Sequence, residues 1–221
     1  MLVRSNLTGR STVGTGGHLY NPGIDILLVC TANQCRSPMA EGMLRRLLAQ
    51  AGVGAEVGSA GLLPGGAPAT PDAVATMADR GVDISGHVSR TLTREMAITT
   101  PLVVGMTRAH LREACVTFGA PVDRAYTLKE LVRRGAQAGG RQGGEPASSW
   151  LARIGAGRRN ADLMGDDPAD DIADPVGRPR DVYEDTADEL EGLLRRLVDL
   201  LMGSPAPVAT YPDPSTGYTR R

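Results

Sequence analysis

The chain has 221 residues, of which 41% are hydrophobic and 3% aromatic, and a formal net charge of −1. That length suits one domain with tails, and the near-neutral charge argues against a general nucleic-acid binder, which is usually basic. There is no run of about 18 apolar residues to span a membrane and no secretory signal in 1–23. Three cysteines are an odd set for a disulfide scaffold, so a reducing, cytoplasmic setting is expected.

Residues 1–23 are rich in Gly, Ser, Thr and Asn, without periodicity, and read as a disordered leader. Ile26–Cys30 is a short apolar run, the pattern of a strand buried on both faces. Pro38 stands where a first helical turn tolerates it. Met39, Met43, Leu44, Leu47, Leu48 and Ala51 follow at helical spacing, and Gly52 is placed to end the helix. Glu56–Ala60 reads as a second strand, Thr70–Arg80 as a helix closed by Gly81, and Leu102–Gly105 as a third strand. Thr107 is placed to cap a helix through Thr117. Arg124–Thr127 and Leu128–Arg134 give a fourth strand and helix. Residues 135–165 hold eight glycines, too long a stretch for an ordinary connection, and are expected to be a partly mobile insertion. The acidic run Asp166–Asp174 reads as a solvated loop. Tyr183, Ala187, Leu190, Leu194, Leu197 and Leu201 mark a long amphipathic helix. Residues 204–221 are a Pro-rich tail, expected disordered, which leaves 24–203 as the domain. Alternating strands and helices predict an α/β fold with a parallel sheet wrapped by helices.

The chemistry concentrates in Cys30-Thr31-Ala32-Asn33-Gln34-Cys35-Arg36-Ser37-Pro38. A cysteine ends a strand, and an arginine and a serine stand at the mouth of the next helix. The loop between them is short enough to curl its backbone N–H groups around one point, where the helix N-terminus adds to an anion site. Such a site holds a phosphoryl group and lowers a thiol's pKa. The planar fork of Arg36 meets two phosphoryl oxygens, as a lysine would not. Ser37 is placed to donate to the Cys30 sulfur. A strand-terminal cysteine alone is equally a small buried hydrophobe, so on residue chemistry both readings stand.

Cys30–Glu41, CTANQCRSPMAE, resembles the phosphate-binding loop of low-molecular-weight protein tyrosine phosphatases. Further stretches resemble that family in order: Ser59-Ala60-Gly61, the run from Gly81 to Arg90 (GVDISGHVSR), Met106–His110, and Asp174-Pro175-Val176-Gly177 ahead of Tyr183. The resemblance implies a three-layer, flavodoxin-like α/β domain with a central parallel sheet flanked by helices. It implies hydrolysis of phosphorylated protein substrates without metal or cofactor, and neither nucleic acid nor membrane insertion is expected. Cys30 would carry a phosphocysteine, and Arg36 would hold phosphoryl oxygens together with the loop Thr31, Ala32, Asn33, Gln34, Cys35 and Ser37. Asp174 would give and take the proton. It is chosen over Asp167 and Asp213, also followed by Pro, for its x-Gly and its distance to the last helix. Asn33 tolerates the left-handed backbone that a tight cradle needs, and the family pattern ties it to Ser59 and His87. The resemblance also makes Cys35 a redox partner of Cys30. His110 and Cys115 receive no function.

The chain departs from the tyrosine-specific pattern in two places. Thr100-Pro101 stands where the family often has Ala-Asp, and the pocket positions Leu62–Gly66 and Val176 supply no ring. Trp150, in the insertion, is the candidate to fold over the site. Thr31 matches a choice seen in phosphoarginine-directed relatives, so phosphotyrosine is the first expectation and phosphoarginine the alternative. An arsenate reductase on the same fold would need two further cysteines near the third-strand exit, and only Cys115 is there. A non-enzymatic phosphate-binding module would be expected to lack the nucleophile or the clamp. No His/Cys cluster has metal-ligand spacing.

Overall fold

The computed structural model describes residues 21–22, 24–163, 165 and 167–203. The expected leader, apart from 21–22, and the expected tail lie outside the described residues. The elements are β1 (Ile26–Cys30), α1 (Arg36–Gln50), β2 (Val57–Gly61), α2 (Pro71–Asp79), α3 (Arg94–Thr99), β3 (Leu102–Gly105), α4 (Arg108–Val116), β4 (Ala125–Thr127), α5 (Leu128–Ala138), α6 (Ala147–Ile154) and α7 (Arg180–Met202).

The four strands form one parallel sheet in the order β2-β1-β3-β4. Ile26 pairs with Val57 on one side and Leu102 on the other, and Cys30 lies opposite Gly61. Side chains alternate across a strand, so β1 divides between two cores. Ile26, Leu28 and Cys30 join the larger core with Met39, Met43 and Leu44 of α1 and Leu190, Leu194 and Leu197 of α7. Leu27 and Val29 join the other, with Leu111 and Ala114 of α4. The result is a three-layer α/β domain. The strand order turns around at β1, and the crevice at the carboxyl ends of β1 and β3 is where such sheets bind ligands.

Threonines begin four helices in the same way. Thr70, Thr93, Thr107 and Thr127 each accept a backbone N–H three residues on, satisfying a donor the helix leaves unpaired.

The Gly-rich stretch is more structured than its composition suggests. Helix α5 runs on to Ala138, and α6 follows within the stretch. Trp150 does not fold over the phosphate loop. It is fully buried against Gly135 and Leu200, and its indole N–H donates to the Gly139 carbonyl at 3.1 Å. Trp150, Leu151 and Ile154 share the buried face of α6 and seat the stretch on α5 and α7. The ring anchors this part of the stretch, because one large aromatic gains more from a pocket than from water. Trp150→Ala should lower unfolding free energy by about 3–5 kcal/mol, the usual cost of truncating a buried aromatic. Urea denaturation is the check, and kcat of the folded variant at 25 °C should match wild type because the ring is remote from the loop.

Candidate active site

The loop between β1 and α1 turns on Asn33, the one non-glycine residue with positive φ among those described, at 54°. Its side chain is fully buried and holds the curl in place. The amide nitrogen donates to Ser37 Oγ at 2.9 Å and to Ser59 Oγ at 2.7 Å. The amide oxygen accepts the backbone N–H of Arg90 at 2.8 Å, and the Asn33 carbonyl lies 2.7 Å from His87 Nε2. Behind this network Ser59 donates to Glu41, whose carboxylate pairs with Arg45 at 2.7 Å. Ser59 and His87 thus both reach Asn33.

The Cys30 sulfur receives two donors. Asn33 N–H reaches it at 3.2 Å, and Ser37 Oγ lies 3.0 Å away. The Ser37 oxygen also accepts from Asn33, and its own proton is available to the sulfur. The neighbouring Cys35 differs. Burial, followed by the nearby charges of Cys30 and Asp174, pushes its thiol up to about 12. It stays protonated, against Met39 Sδ at 3.7 Å.

Arg36 is almost fully buried and bridges the loop to the segment before α7. It donates to the Ile172 carbonyl at 3.2 Å, to Thr31 Oγ1 at 3.3 Å and to Asp174 Oδ2 at 2.5 Å. Asp174 itself is about half exposed, with its side chain 46% accessible. Asp167 is elsewhere: it accepts from Ala169 N and faces Arg108. The structure therefore brings Cys30, Arg36 and Asp174 together and leaves Asp167 outside. Asp213 lies outside the described residues.

Two features of the site escaped the sequence reading. Gly61 ends β2 where a Cβ would stand 2.8 Å from Ala32 C and Asn33 N, so only glycine lets the loop close over this strand. The second is Asp170, in the run expected to be a solvated loop. It is 1% exposed and accepts two bonds from Arg108, at 2.7 and 3.0 Å, and one from Arg133. The Arg108 N–H meets Asp171 Oδ1 at 2.8 Å, and Ile172 N–H meets the Met106 carbonyl at 2.8 Å. The acid-bearing segment is thus bolted to the start of α4 at one end and to Arg36 at the other. A charge run gives no hint of this, since its arginine partners lie 37 and 62 residues away.

This geometry stands in a chain that matches known proteins. The family described as low molecular weight phosphotyrosine protein phosphatase matches residues 25–140. The protein-arginine-phosphatase of Bacillus subtilis is 34% identical over 180 residues, covering 80% of this chain and 97% of the relative.

The chain belongs to the low-molecular-weight phosphotyrosine protein phosphatase family.

It is a cysteine-based protein phosphatase, and Cys30 occupies the phosphate-loop position. A low molecular weight protein-tyrosine-phosphatase of Escherichia coli, Etp, is 42% identical over 106 residues, 47% of this chain and 66% of the relative. Among solved structures, the YwlE arginine phosphatase from Geobacillus stearothermophilus superposes with a TM-score of 0.60 at 31% identity, over 81% of this chain and 93% of that one. The low molecular weight protein tyrosine phosphatase from T. tengcongensis gives 0.60 at 32% identity, over 80% and 98%. No helix of this phosphatase among the described residues is long and apolar enough to cross a membrane.

Asp170 sets a pH dependence. Burial alone would push its carboxyl up, but the hydrogen bonds from Arg133 and Arg108 outweigh burial and hold it below the ordinary value of 3.8. A carboxyl depressed in the folded state stabilises above its unfolded pKa and loses that contribution as pH falls through the folded pKa. Asp170→Asn should therefore cost about 3–5 kcal/mol at pH 7, as for other broken buried pairs. In urea titrations the gap between variant and wild type should narrow as pH drops below 3.8.

Proposed function

We propose that this phosphatase works through a phosphocysteine on Cys30, with Arg36 as clamp and Asp174 as general acid and base. The observation that carries the reading is the convergence on one loop of a doubly hydrogen-bonded sulfur, a buried guanidinium and a half-exposed carboxylate. The Cys30 thiolate attacks phosphorus, forming S–P as the bond to the leaving group breaks. Arg36 turns its fork from Asp174 to the phosphoryl oxygens, and the loop amides share the charge that builds in the transition state. Asp174 hands its proton to the leaving atom, then takes one from the water that cleaves S–P. Inorganic phosphate leaves, and the thiolate is restored. No step calls for a metal.

The substrate we propose is a phosphoarginine side chain in a protein. Beside the loop and the acid stand two exposed aliphatic residues, Leu63 and Val176, at 49% and 54% accessibility, where an arginine's methylene stem would lie. The Thr31 hydroxyl stands beside the nucleophile as a partner for a guanidinium N–H. The likeness to a protein-arginine-phosphatase over 97% of that relative supports the same reading. Phosphotyrosine is the second reading, favoured by the 42% identity to Etp over 106 residues. We place the enzyme in the cytoplasm, consistent with three free cysteines, and propose that Cys35 protects Cys30 by condensing with its sulfenic acid, releasing water and leaving a disulfide.

Cys30→Ser should abolish turnover while retaining phosphate binding by calorimetry, and activity near wild type would remove Cys30 from the mechanism. Asp174→Asn should slow hydrolysis of poor leaving groups by about 10²–10⁴ and of a nitrophenyl ester by less. After peroxide, thiol reductant should restore the wild type but not Cys35→Ser. Full recovery of that variant would make Cys35 a bystander.

A further inference from the structure

His110 stands at the third position of α4, its imidazole buried between two hydroxyls. Nε2 lies 2.8 Å from Thr31 Oγ1, and Nδ1 lies 2.8 Å from Thr107 Oγ1. The second of these hydroxyls is the helix cap, which also accepts the His110 backbone N–H at 3.3 Å. The first is in the catalytic loop and accepts from Arg36 at 3.3 Å. One histidine therefore ties a loop side chain that touches the phosphate clamp to the start of a helix 79 residues away in sequence.

A threonine hydroxyl has one proton and two lone pairs. Arg36 occupies one lone pair of Thr31, so the ring decides what the rest presents to the pocket. A ring that accepts at Nε2 draws the Thr31 proton to itself and leaves a lone pair facing the leaving group. A ring that donates at Nε2 fills the second lone pair and leaves a proton there instead. The full charge of Arg36 prefers a ring lone pair toward it. The helix N-terminus near Nδ1 acts the other way, with roughly half a charge. The ring is also neutral: burial, reinforced by Arg36, pushes His110 down to about 4.

We propose that His110 is a positioning residue that holds Thr31 as a hydrogen-bond acceptor toward the leaving group, and so selects an N–H-bearing leaving group over an aryl oxygen. The selection rests on the phosphoarginine reading above. A guanidinium leaving group brings N–H donors to that lone pair. A phenolic oxygen brings none and meets acceptor against acceptor.

The test is a double-mutant cycle on the full chain, reading the ratio of kcat/KM for a phosphoarginine peptide to that for a phosphotyrosine peptide of the same sequence. His110→Asn keeps an amide within reach of Thr107 but withdraws from Thr31. It should lower the ratio about tenfold, the weight of one hydrogen bond to a charged group. Thr31→Val should lower it by a similar factor, and the double variant no further than Thr31→Val alone. His110→Gln, whose longer amide reaches Thr31, should restore most of the ratio. The proposal is overturned if His110→Asn slows both substrates equally, or if it lowers the ratio as much in the Thr31→Val background as in wild type. Should His110→Asn fail to fold by near-ultraviolet circular dichroism, the exposed Thr31→Val decides alone, and an unchanged ratio there overturns the proposal. A wild type that prefers phosphotyrosine would sink the substrate reading, while the cycle would still report whether His110 acts through Thr31.

Discussion

The site depends on one backbone constraint: a short loop must close around a point, and Asn33 closes it with a φ of 54°. Left-handed backbone costs a non-glycine residue about 1–2 kcal/mol, so it persists only where surrounding bonds hold it. Here the side-chain amide has both of its hydrogens and its oxygen engaged, and the carbonyl is met by His87. The partners come from α1, β2 and the segment after α2, so three parts of the chain must be in register before the loop can close. Loop curvature is in this way a property of the whole sheet end.

The same bonds set the chemistry. Asn33 donates to Ser37, which lies against the sulfur, and the Asn33 N–H points there too. Cys35, five residues on from Cys30, is equally buried, and burial, followed by the charges of Cys30 and Asp174, outweighs Arg36 and the Thr70 hydroxyl and pushes its thiol up to about 12.

What the sequence made legible follows from range. β1, α1 and α7 are written in local periodicity, and the loop in the order of its residue types, so these could be read directly. Asp174 was preferred to Asp167 for its following x-Gly and its distance to the last helix, and the structure puts Asp174 on Arg36. Trp150 was misplaced because a lone ring in a glycine-rich stretch carries no address, although Leu151 and Ile154 beside it completed a helical face. His110 and Asp170 were passed over for a different reason. Their partners are distant in sequence, and nothing in a histidine at a helix start, or an aspartate in an acidic run, distinguishes a buried connector from a solvated surface.

Those two residues complete a division between fixed and free ends. Asp170 has a side chain of zero accessibility locked to Arg108 and Arg133, whereas Asp174, four residues on, is 46% accessible. The general-acid role proposed for Asp174 needs both properties: its backbone must be placed to within a fraction of an ångström, while its carboxyl must reach a leaving group from solvent and exchange its proton there. Anchoring the segment at Asp170 and Ile172 meets the first requirement without burying Asp174. His110 meets one loop hydroxyl from the start of α4, the helix terminus whose Arg108 grips Asp170. One turn of α4 therefore holds both the Asp170 segment and the Thr31 hydroxyl, and Asp174 and Thr31 meet at Arg36.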